Sequence, residues 1–210
     1  MDKNVLLAII NNRKDVPMYF CQNIFEIMEY SRANGVKVSI RTFSAVEVQQ
    51  MRNMACNFAV ENNFDYIFMV DTDMQYPMDS IVRLIKHDKD FIVGSATERH
   101  PPFYPTQYKK LNVKNFKAKS NRVFISNKDK DIIKIGFTGV VGALIKVDIF
   151  KKLNKPYFKV EYKKNNEDVI GSDIYFCNQL NKKRIKLYLD PQVKYKHEVL
   201  LFSSSIGVIT

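Results

Sequence analysis

Apolar and polar positions alternate in a regular order of strand-like and helix-like patterns through the first half of the chain. Two of the strand-like segments are continuous apolar runs, which are typical of strands buried on both faces of a sheet. The predicted strands cover residues 5–10, 36–43, 66–70 and 91–94, and the predicted helices between them cover residues 19–33, 46–62 and 80–87. This order predicts an α/β fold with a mostly parallel central sheet flanked by helices.

The pattern changes after residue 96. Residues 98–110 contain three prolines and show neither period, which predicts a loop. Further strands are predicted over residues 122–126, 132–135, 140–147 and 185–189, and a helix over residues 172–184. The second half therefore adds a small mixed or antiparallel part to the sheet. We expect one domain over residues 1–210, either whole or part of a longer protein, with a first half (1–96) and a second half (97–200) of different pattern.

Composition excludes several classes of protein. The chain has 210 residues, of which 46% are hydrophobic, with only 7 Gly and 7 Pro, so neither a disordered nor a collagen-like chain fits. No apolar run reaches the roughly 20 residues that span a bilayer, and the start of the chain lacks the pattern of a secretory signal. The three cysteines stand far apart, which predicts buried free thiols in a reducing compartment. We expect a cytoplasmic protein.

Positive charge is concentrated in the second half of the chain. Residues 1–100 carry 11 Lys and Arg against 13 Asp and Glu, whereas residues 101–200 carry 22 against 9. The basic residues form pairs separated by apolar and aromatic residues. This distribution fits either a solvated surface or a contact area for an anionic partner: a phosphate-bearing acceptor, an anionic membrane surface or nucleic acid. Charge alone does not distinguish these partners.

Two carboxylates follow the apolar strand at residues 66–70. In an extended chain Asp71 and Asp73 face the same side, and convergent carboxylates suit a hard divalent cation. The spacing itself is common, since the chain also contains the pairs Asp88/Asp90 and Asp129/Asp131. Those pairs lie among lysines in predicted turns, where solvated carboxylates are expected. Only Asp71 and Asp73 stand at the carboxyl end of a strand, where the ligands of such sheets gather.

Two later residues are weaker candidates on their own. His197 follows a predicted short strand, and an imidazole beside two carboxylates favours Mn²⁺ as well as Mg²⁺. Asp173 lies in the first turn of a predicted helix with Ser172 as its N-cap, a position that the helix dipole favours for any acidic residue. The acidic pair at residues 167–168 competes with Asp173 for a chemical role.

The order of these motifs resembles a known family. Together they cover most of residues 5–198. They are Arg52-Asn53, residues 65–74 around Asp71-Thr72-Asp73, the glycine-containing run 139–144, residues 150–153 and 156–158, the segment 171–177 and the terminal His197. In this order they resemble the glycosyltransferases of GT-A fold and family 2 type, which use a nucleotide-sugar donor.

The resemblance implies one GT-A catalytic domain, with a nucleotide-binding half (1–96), an acceptor-side half (97–200) and a metal-dependent donor site. Asp71 and Asp73 match the family's DXD motif, which holds Mn²⁺ or Mg²⁺ on the donor diphosphate, and His197 matches a further ligand. The residues implied to contact the nucleotide, with UDP as the favoured base, are Asn11, Asn12, Arg13 and Arg52, together with the two aspartates.

The resemblance also implies the acceptor side of the reaction. Asp173 matches the catalytic base of inverting members, and Gly139 and Ser172 lie in the vicinity of the acceptor and the transferred sugar. Ser172 stands where the family usually has Glu, which puts a contact of that residue in doubt. The implied acceptor is a hydroxyl of a glycan, a lipid-linked molecule or another anionic molecule, with peripheral membrane contact through the basic half.

Alternative functions remain open at this point. A D-x-D pair at a strand end also resembles the nucleophile motif of haloacid-dehalogenase-type phosphatases, but that motif normally ends the first strand, and Gln75 stands where Thr or Val is expected. A basic nucleic-acid-binding protein without catalysis is a second alternative, although the aromatic residues form no recognisable RNA-binding signature. A nucleotidyltransferase on a similar fold is a third.

Overall fold

The protein is described by a computed structural model over residues 3–12, 15–110, 121–162 and 169–197. Its strands are β1 (Lys3–Ile10), β2 (Val36–Phe43), β3 (Tyr66–Asp71), β4 (Met74–Gln75), β5 (Phe91–Ser95), β6 (Ile133–Ile135), β7 (Ala143–Lys146), β8 (Glu161–Tyr162), β9 (Val169–Ile170), β10 (Leu187–Lys194) and β11 (Lys196–His197). Its helices are α1 (Met18–Ala33), α2 (Val48–Glu61), α3 (Ser80–Lys86) and α4 (Ser172–Lys182), with a 3₁₀ helix over Val147–Lys152.

Seven strands form the central sheet in the order β2-β1-β3-β7-β5-β10-β6. Strand β1 pairs in parallel with β2 and β3, and β5 pairs in parallel with β10. Strand β7 runs antiparallel between β3 and β5, and β6 pairs antiparallel with β10 at the edge. The sheet is therefore mostly parallel with antiparallel additions from the second half of the chain, which confirms the predicted fold class.

The core lies where the sheet meets its flanking helices. Residues 5–8 of β1 and 67–70 of β3 are almost completely buried, as their continuous apolar runs predict. Helix α2 packs against β1 and β3, and α3 packs against β5 and β10. Because β1 and β3 are parallel neighbours, their carboxyl ends lie side by side at one edge of the sheet.

Elements of the first half match their predictions to within about two residues, and the second half shows the differences. No strand forms over residues 122–126: Arg122 makes only an isolated bridge with Tyr108. Strand β7 begins at Ala143, later than predicted, because Gly142 before it has a φ of +68°, which breaks the extended conformation. Strand β10 runs past Pro191 because a change of register after Asp190 accommodates the proline.

A two-stranded ribbon brings the end of the described chain back to β3. Strand β11 pairs antiparallel with β4, so that His197 stands opposite Met74. Neither strand was predicted, since each has only two residues and no hydrophobic pattern. The ribbon decides where His197 lies.

The cysteines and the helices bear on two further expectations. Cys56 and Cys177 are buried free thiols, but Cys21 is exposed, contrary to the prediction, because it lies one position off the buried stripe of α1. No helix in the described part of the chain is long and apolar enough to cross a membrane.

Candidate functional site

The aspartate pair lies in a tight turn between β3 and β4. Asp71 is the last residue of β3, and its backbone N–H donates to the Tyr76 hydroxyl at 2.9 Å. Tyr76 is itself fixed, because its backbone N–H donates to the Asn23 side chain at 2.8 Å and its ring packs against Tyr195 at 4.9 Å between centroids. The turn is thus held from behind by a buried aromatic pair, and Asp73 projects from its far end.

One carboxylate oxygen of Asp71 has no partner. Asp71 Oδ1 is buried without a hydrogen bond, while Oδ2 lies 3.7 Å from Arg52 Nη2. Burial raises the pKa of Asp71, and the Arg52 guanidinium acts in the opposite direction. A desolvated carboxylate with unused lone pairs is a feature of sites that receive a cation or a donor group.

Arg52 connects Asp71 to the second half of the chain. Its side chain is only 6% exposed, and it donates a charge-assisted hydrogen bond through Nη1 to Asp173 Oδ1. Because Arg52 lies on α2 and Asp173 in the first turn of α4, this ion pair joins two helices at the carboxyl edge of the sheet. The structure thus brings Arg52, Asp71 and Asp173 together.

Gly139 and Ser172 lie beside Asp173. A Cβ atom placed on Gly139 would lie 3.7 Å from Asp173 Oδ2, so this oxygen faces Gly139 while Oδ1 faces Arg52. The sequence predicted Ser172 as the N-cap of α4, and this prediction is wrong. Gly171 holds that position in an extended conformation, and no side chain caps the helix. Ser172 is therefore the first helical residue, with its side chain left without a capping role.

Asp73 is paired with an arginine that sequence analysis did not single out. Arg99 forms an ion pair with Asp73, and its side chain is 40% exposed. Arg99 follows β5 by four residues, in the proline-rich loop. Its position just beyond the carboxyl end of a strand is the signal that could have identified it.

His197 reaches the same area through the β4–β11 ribbon. Its Nδ1 atom is buried and has no hydrogen-bond partner. Burial lowers the pKa of His197, and the positive charges of Arg99 and His100 add to this effect, whereas a hydrogen bond to the Thr97 backbone opposes it. The ring is therefore neutral at pH 7, which is the state that ligates a metal.

The predicted metal ligands fit a cation only in part. Among the described residues, no group of three His, Cys, Asp or Glu side chains converges on one point. Asp71 Oδ1 and His197 Nδ1 are nevertheless both buried and unpartnered, while Asp73 is engaged by Arg99. The donor set of two oxygens and a nitrogen suits Mn²⁺ or Mg²⁺ that takes its other ligands from phosphate or water.

A cleft of about 230 Å³ opens at the aspartate pair. It is lined by Ile10, Asn12, Val48, Met51, Asp71, Thr72, Asp73 and Arg99. Asn12 therefore lies in the cleft, as a nucleotide contact would. Asn11 is buried and its backbone N–H donates to Phe43 at 3.1 Å, and Arg13 lies outside the described residues. Two larger hollows, of about 350 and 400 Å³, contain none of the predicted site residues.

The other two aspartate pairs have structural roles. Lys146 Nζ lies 2.8 Å from Asp88 Oδ1, and Asp129 accepts a hydrogen bond from the backbone N–H of Ser126 at 2.7 Å. Asp88 is exposed and Asp129 is partly exposed, and these contacts lower the pKa of each. The location at the end of β3 separates Asp71 and Asp73 from them.

Comparisons with known proteins give similarity of fold. No family model and no curated protein matches the sequence. Among solved structures, A197 from STIV aligns with 93% of this chain and 85% of its own, at 14% identity and a TM-score of 0.58. A UDP-glucose pyrophosphorylase complexed with UDP-glucose gives 10% identity, coverage of 93% and 92%, and a TM-score of 0.49. HddC from Yersinia pseudotuberculosis aligns with 94% of this chain and 95% of its own, at 10% identity and a TM-score of 0.42. Of these three, the last two have scores below 0.5, so A197 alone is used as evidence for the fold, and at 14% identity it bears on nothing else.

Proposed function

We propose that this chain is a metal-dependent glycosyltransferase. It moves a sugar from a nucleotide-diphosphate sugar, with UDP-sugars as the first candidates, to an acceptor hydroxyl with inversion at the anomeric carbon. The observation that carries the proposal is the meeting of Asp71 and Asp173 on Arg52 at the carboxyl edge of the sheet. One carboxylate belongs to a strand-end D-x-D turn and the other to a helix from the second half, as donor and acceptor sides require.

A divalent cation is part of this proposal. Asp71, Asp73 and His197 would hold Mn²⁺ or Mg²⁺. When bound, the ion supplies Lewis-acid neutralisation of the charge that develops on the departing diphosphate. The unpartnered Asp71 Oδ1 and His197 Nδ1 support this assignment. Asn11, Asn12 and Arg13 stay predictions for the nucleotide, of which Asn12 lies in the cleft.

Asp173 is the proposed base. Its Oδ1 is held by Arg52, so the carboxylate has one orientation, and its Oδ2 accepts the proton of the acceptor hydroxyl. As that proton leaves, the hydroxyl oxygen forms the new bond to the anomeric carbon, and the bond from that carbon to the diphosphate breaks with its electrons. The Asp173 side chain is 27% exposed, which leaves it accessible to an acceptor. Arg52, first predicted to contact the nucleotide, is proposed here to position both carboxylates.

The acceptor is proposed to be a glycan, a lipid-linked molecule or another anionic molecule. The excess of lysine and arginine in residues 101–200 supports an anionic acceptor, and peripheral contact with an anionic membrane surface would use the same charge. Nucleic acid is a weaker choice of partner, because a nucleic-acid-binding protein has no need of a strand-end carboxylate pair. In this proposal, residues 1–96 bind the donor and residues 97–200 the acceptor.

The test compares two first-turn aspartates. Asp173→Asn keeps the size of the side chain and removes the base, so turnover of nucleotide-sugar should fall by about 10² to 10⁴ while donor affinity stays within a factor of about two. Asp148→Asn is the matched control: Asp148 lies in the first turn of the 3₁₀ helix, where it is exposed and paired with Lys151. Turnover is measured as release of nucleotide diphosphate, donor affinity by calorimetry, and folding by the melting temperature.

Other outcomes select other functions. An Asp173→Asn variant that turns over at nearly the wild-type rate removes this residue from the mechanism. Phosphate release from a phosphomonoester, without use of any nucleotide-sugar, would select a phosphatase. Salt-sensitive retention of nucleic acid without turnover would select a binding protein.

A further inference from the structure

The arginine at Asp73 is carried by a well-anchored hairpin, defined here as the Arg99 hairpin (residues 96–106). Its base is closed by the Thr106 N–H donating to the Ala96 carbonyl at 3.0 Å, and its middle by the Glu98 N–H donating to the Tyr104 carbonyl at 2.8 Å. Arg122 ties the hairpin down, because Nη1 donates to the Pro105 carbonyl at 2.6 Å. These hydrogen bonds anchor the hairpin on both sides of Arg99, and its half-exposed guanidinium can change position by rotation of the side chain.

The two arginines of the site differ in their freedom. Arg52 is buried between Asp71 and Asp173, so it serves as a fixed positive charge. Arg99 is 40% exposed, and among the pairs within 4 Å its only carboxylate in the described part of the chain is Asp73. It also lines the cleft, whose volume of about 230 Å³ is below the roughly 300–1,000 Å³ of ordinary ligand pockets. Arg99 thus stands at the wall of a small cleft, beside the carboxylate that a cation would use.

Arg99 and a divalent cation compete for Asp73. Two positive charges at one carboxylate repel each other, so a cation that binds Asp73 weakens its ion pair with Arg99 and favours release of the guanidinium. The displaced group remains within a side-chain length of the cleft. A guanidinium matches the oxygens of a phosphate group with two parallel hydrogen bonds, which an ammonium cannot do.

We propose that Arg99 is a second cation of the diphosphate site. In the free protein Arg99 forms an ion pair with Asp73. When a divalent cation binds that carboxylate, the Arg99 guanidinium rotates to bind the diphosphate that arrives with the ion. The inference rests on the proposed function only in that the ligand carries a diphosphate. It is therefore tested with Mn²⁺ alone and with inorganic pyrophosphate, without any nucleotide-sugar.

The experiment compares Arg99→Gln with Arg83→Gln. Arg83 is a matched control, since its side chain is 39% exposed and pairs with Asp79. Binding of Mn²⁺ alone is followed by electron paramagnetic resonance, and binding of pyrophosphate at saturating Mn²⁺ by calorimetry. For Arg99→Gln we expect Mn²⁺ to bind about two- to five-fold more tightly, because its competitor is gone. Pyrophosphate should bind about ten-fold or more weakly, because a charge-assisted contact is lost. Arg83→Gln should match the wild type in both.

A conservative variant separates charge from geometry. Arg99→Lys keeps the positive charge at Asp73 but lacks the planar fork, so Mn²⁺ affinity should stay near wild type while pyrophosphate affinity falls. The inference is overturned if Arg99→Gln leaves Mn²⁺ affinity unchanged, weakens both ligands together or tightens both. If Arg99→Gln binds Mn²⁺ more tightly and pyrophosphate more weakly, but the wild type turns over no nucleotide-sugar, the role of Arg99 is supported and the glycosyltransferase proposal is refuted.

Discussion

Substitution of Arg52 tests how the candidate site is held together. Arg52→Met removes the guanidinium between Asp71 and Asp173, whose Cζ also lies 5.7 Å from the centroid of the Phe158 ring, but keeps most of the apolar stem. The variant leaves two partly buried carboxylates near each other without a positive charge. We expect a large loss of stability from this one change.

The magnitude follows from the geometry. Arg52 Nη2 lies 3.7 Å from Asp71 Oδ2, and at an effective dielectric constant of about 20 this attraction amounts to about 4 kcal/mol. The hydrogen bond to Asp173 adds to this stabilisation. The cost of burying the guanidinium, which the variant no longer has, offsets part of the loss. Measured losses on breaking buried pairs are about 3–5 kcal/mol. Because Asp71 and Asp173 are 33% and 27% exposed, water screens the remaining carboxylates, and we expect about 3 kcal/mol at neutral pH.

The loss should depend on pH with a definite sign. Burial raises the pKa of Asp71 in the folded protein above its ordinary value near 4. A raised pKa means that the ionised form is disfavoured in the folded state, so the cost is fully present above the raised pKa and disappears as the pH falls towards the ordinary value. Arg52 opposes this shift, so its removal raises the pKa further. The deficit of Arg52→Met should therefore be largest near pH 7 and shrink in mild acid.

The assay is urea denaturation of the wild type and the variant at about pH 7 and about pH 4.5. Arg83→Met serves as the control, because Arg83 is 39% exposed where Arg52 is 6% exposed, so its pair with Asp79 should contribute about 1 kcal/mol or less. Adding Asp71→Asn to Arg52→Met should recover part of the loss, since it removes one of the two unpaired charges. A deficit below about 1 kcal/mol at neutral pH, or one independent of pH, would refute this account of the site.

Three further predictions address the metal, the sheet and the acceptor. Asp73→Asn should abolish Mn²⁺-supported nucleotide binding in calorimetry, and Asp88→Asn should leave it unchanged because its partner is Lys146; equal effects would contradict the assignment. Gly142→Ala should lower the free energy of unfolding by about 2 kcal/mol or more, because Gly142 has a positive φ and its Cβ would meet the Tyr195 ring. Gly171→Ala, with open space around it, should cost less than about 1 kcal/mol in the same urea titration, the preference of an N-cap for glycine over alanine. Activity on an anionic acceptor should fall steeply as salt rises, while donor affinity falls less, and an acceptor Michaelis constant that does not move with salt would leave the basic half as a solvated surface.

The sequence by itself determined the strands and helices of the first half. Continuous apolar runs such as residues 5–10 and 66–70 are typical of strands that are covered on both faces, so the local pattern of apolar residues predicts buried strands there. The placement of Asp71 at a strand end follows in the same way. Asp173 in the first turn of α4 was also predictable, because the helical period begins there.

Tertiary structure decided which charges meet. Arg52 and Asp173 stand 121 positions apart, and nothing in either local segment indicates the other. The same holds for Arg99 with Asp73, and for His197, which a ribbon of two-residue strands sets opposite Met74, next to the aspartate turn. Short strands and ion pairs carry no periodic pattern, because their stability comes from partners supplied by the rest of the fold and not from local conformational preference. The chemistry of the site thus depends on contacts between distant parts of the chain, which form only in the folded protein.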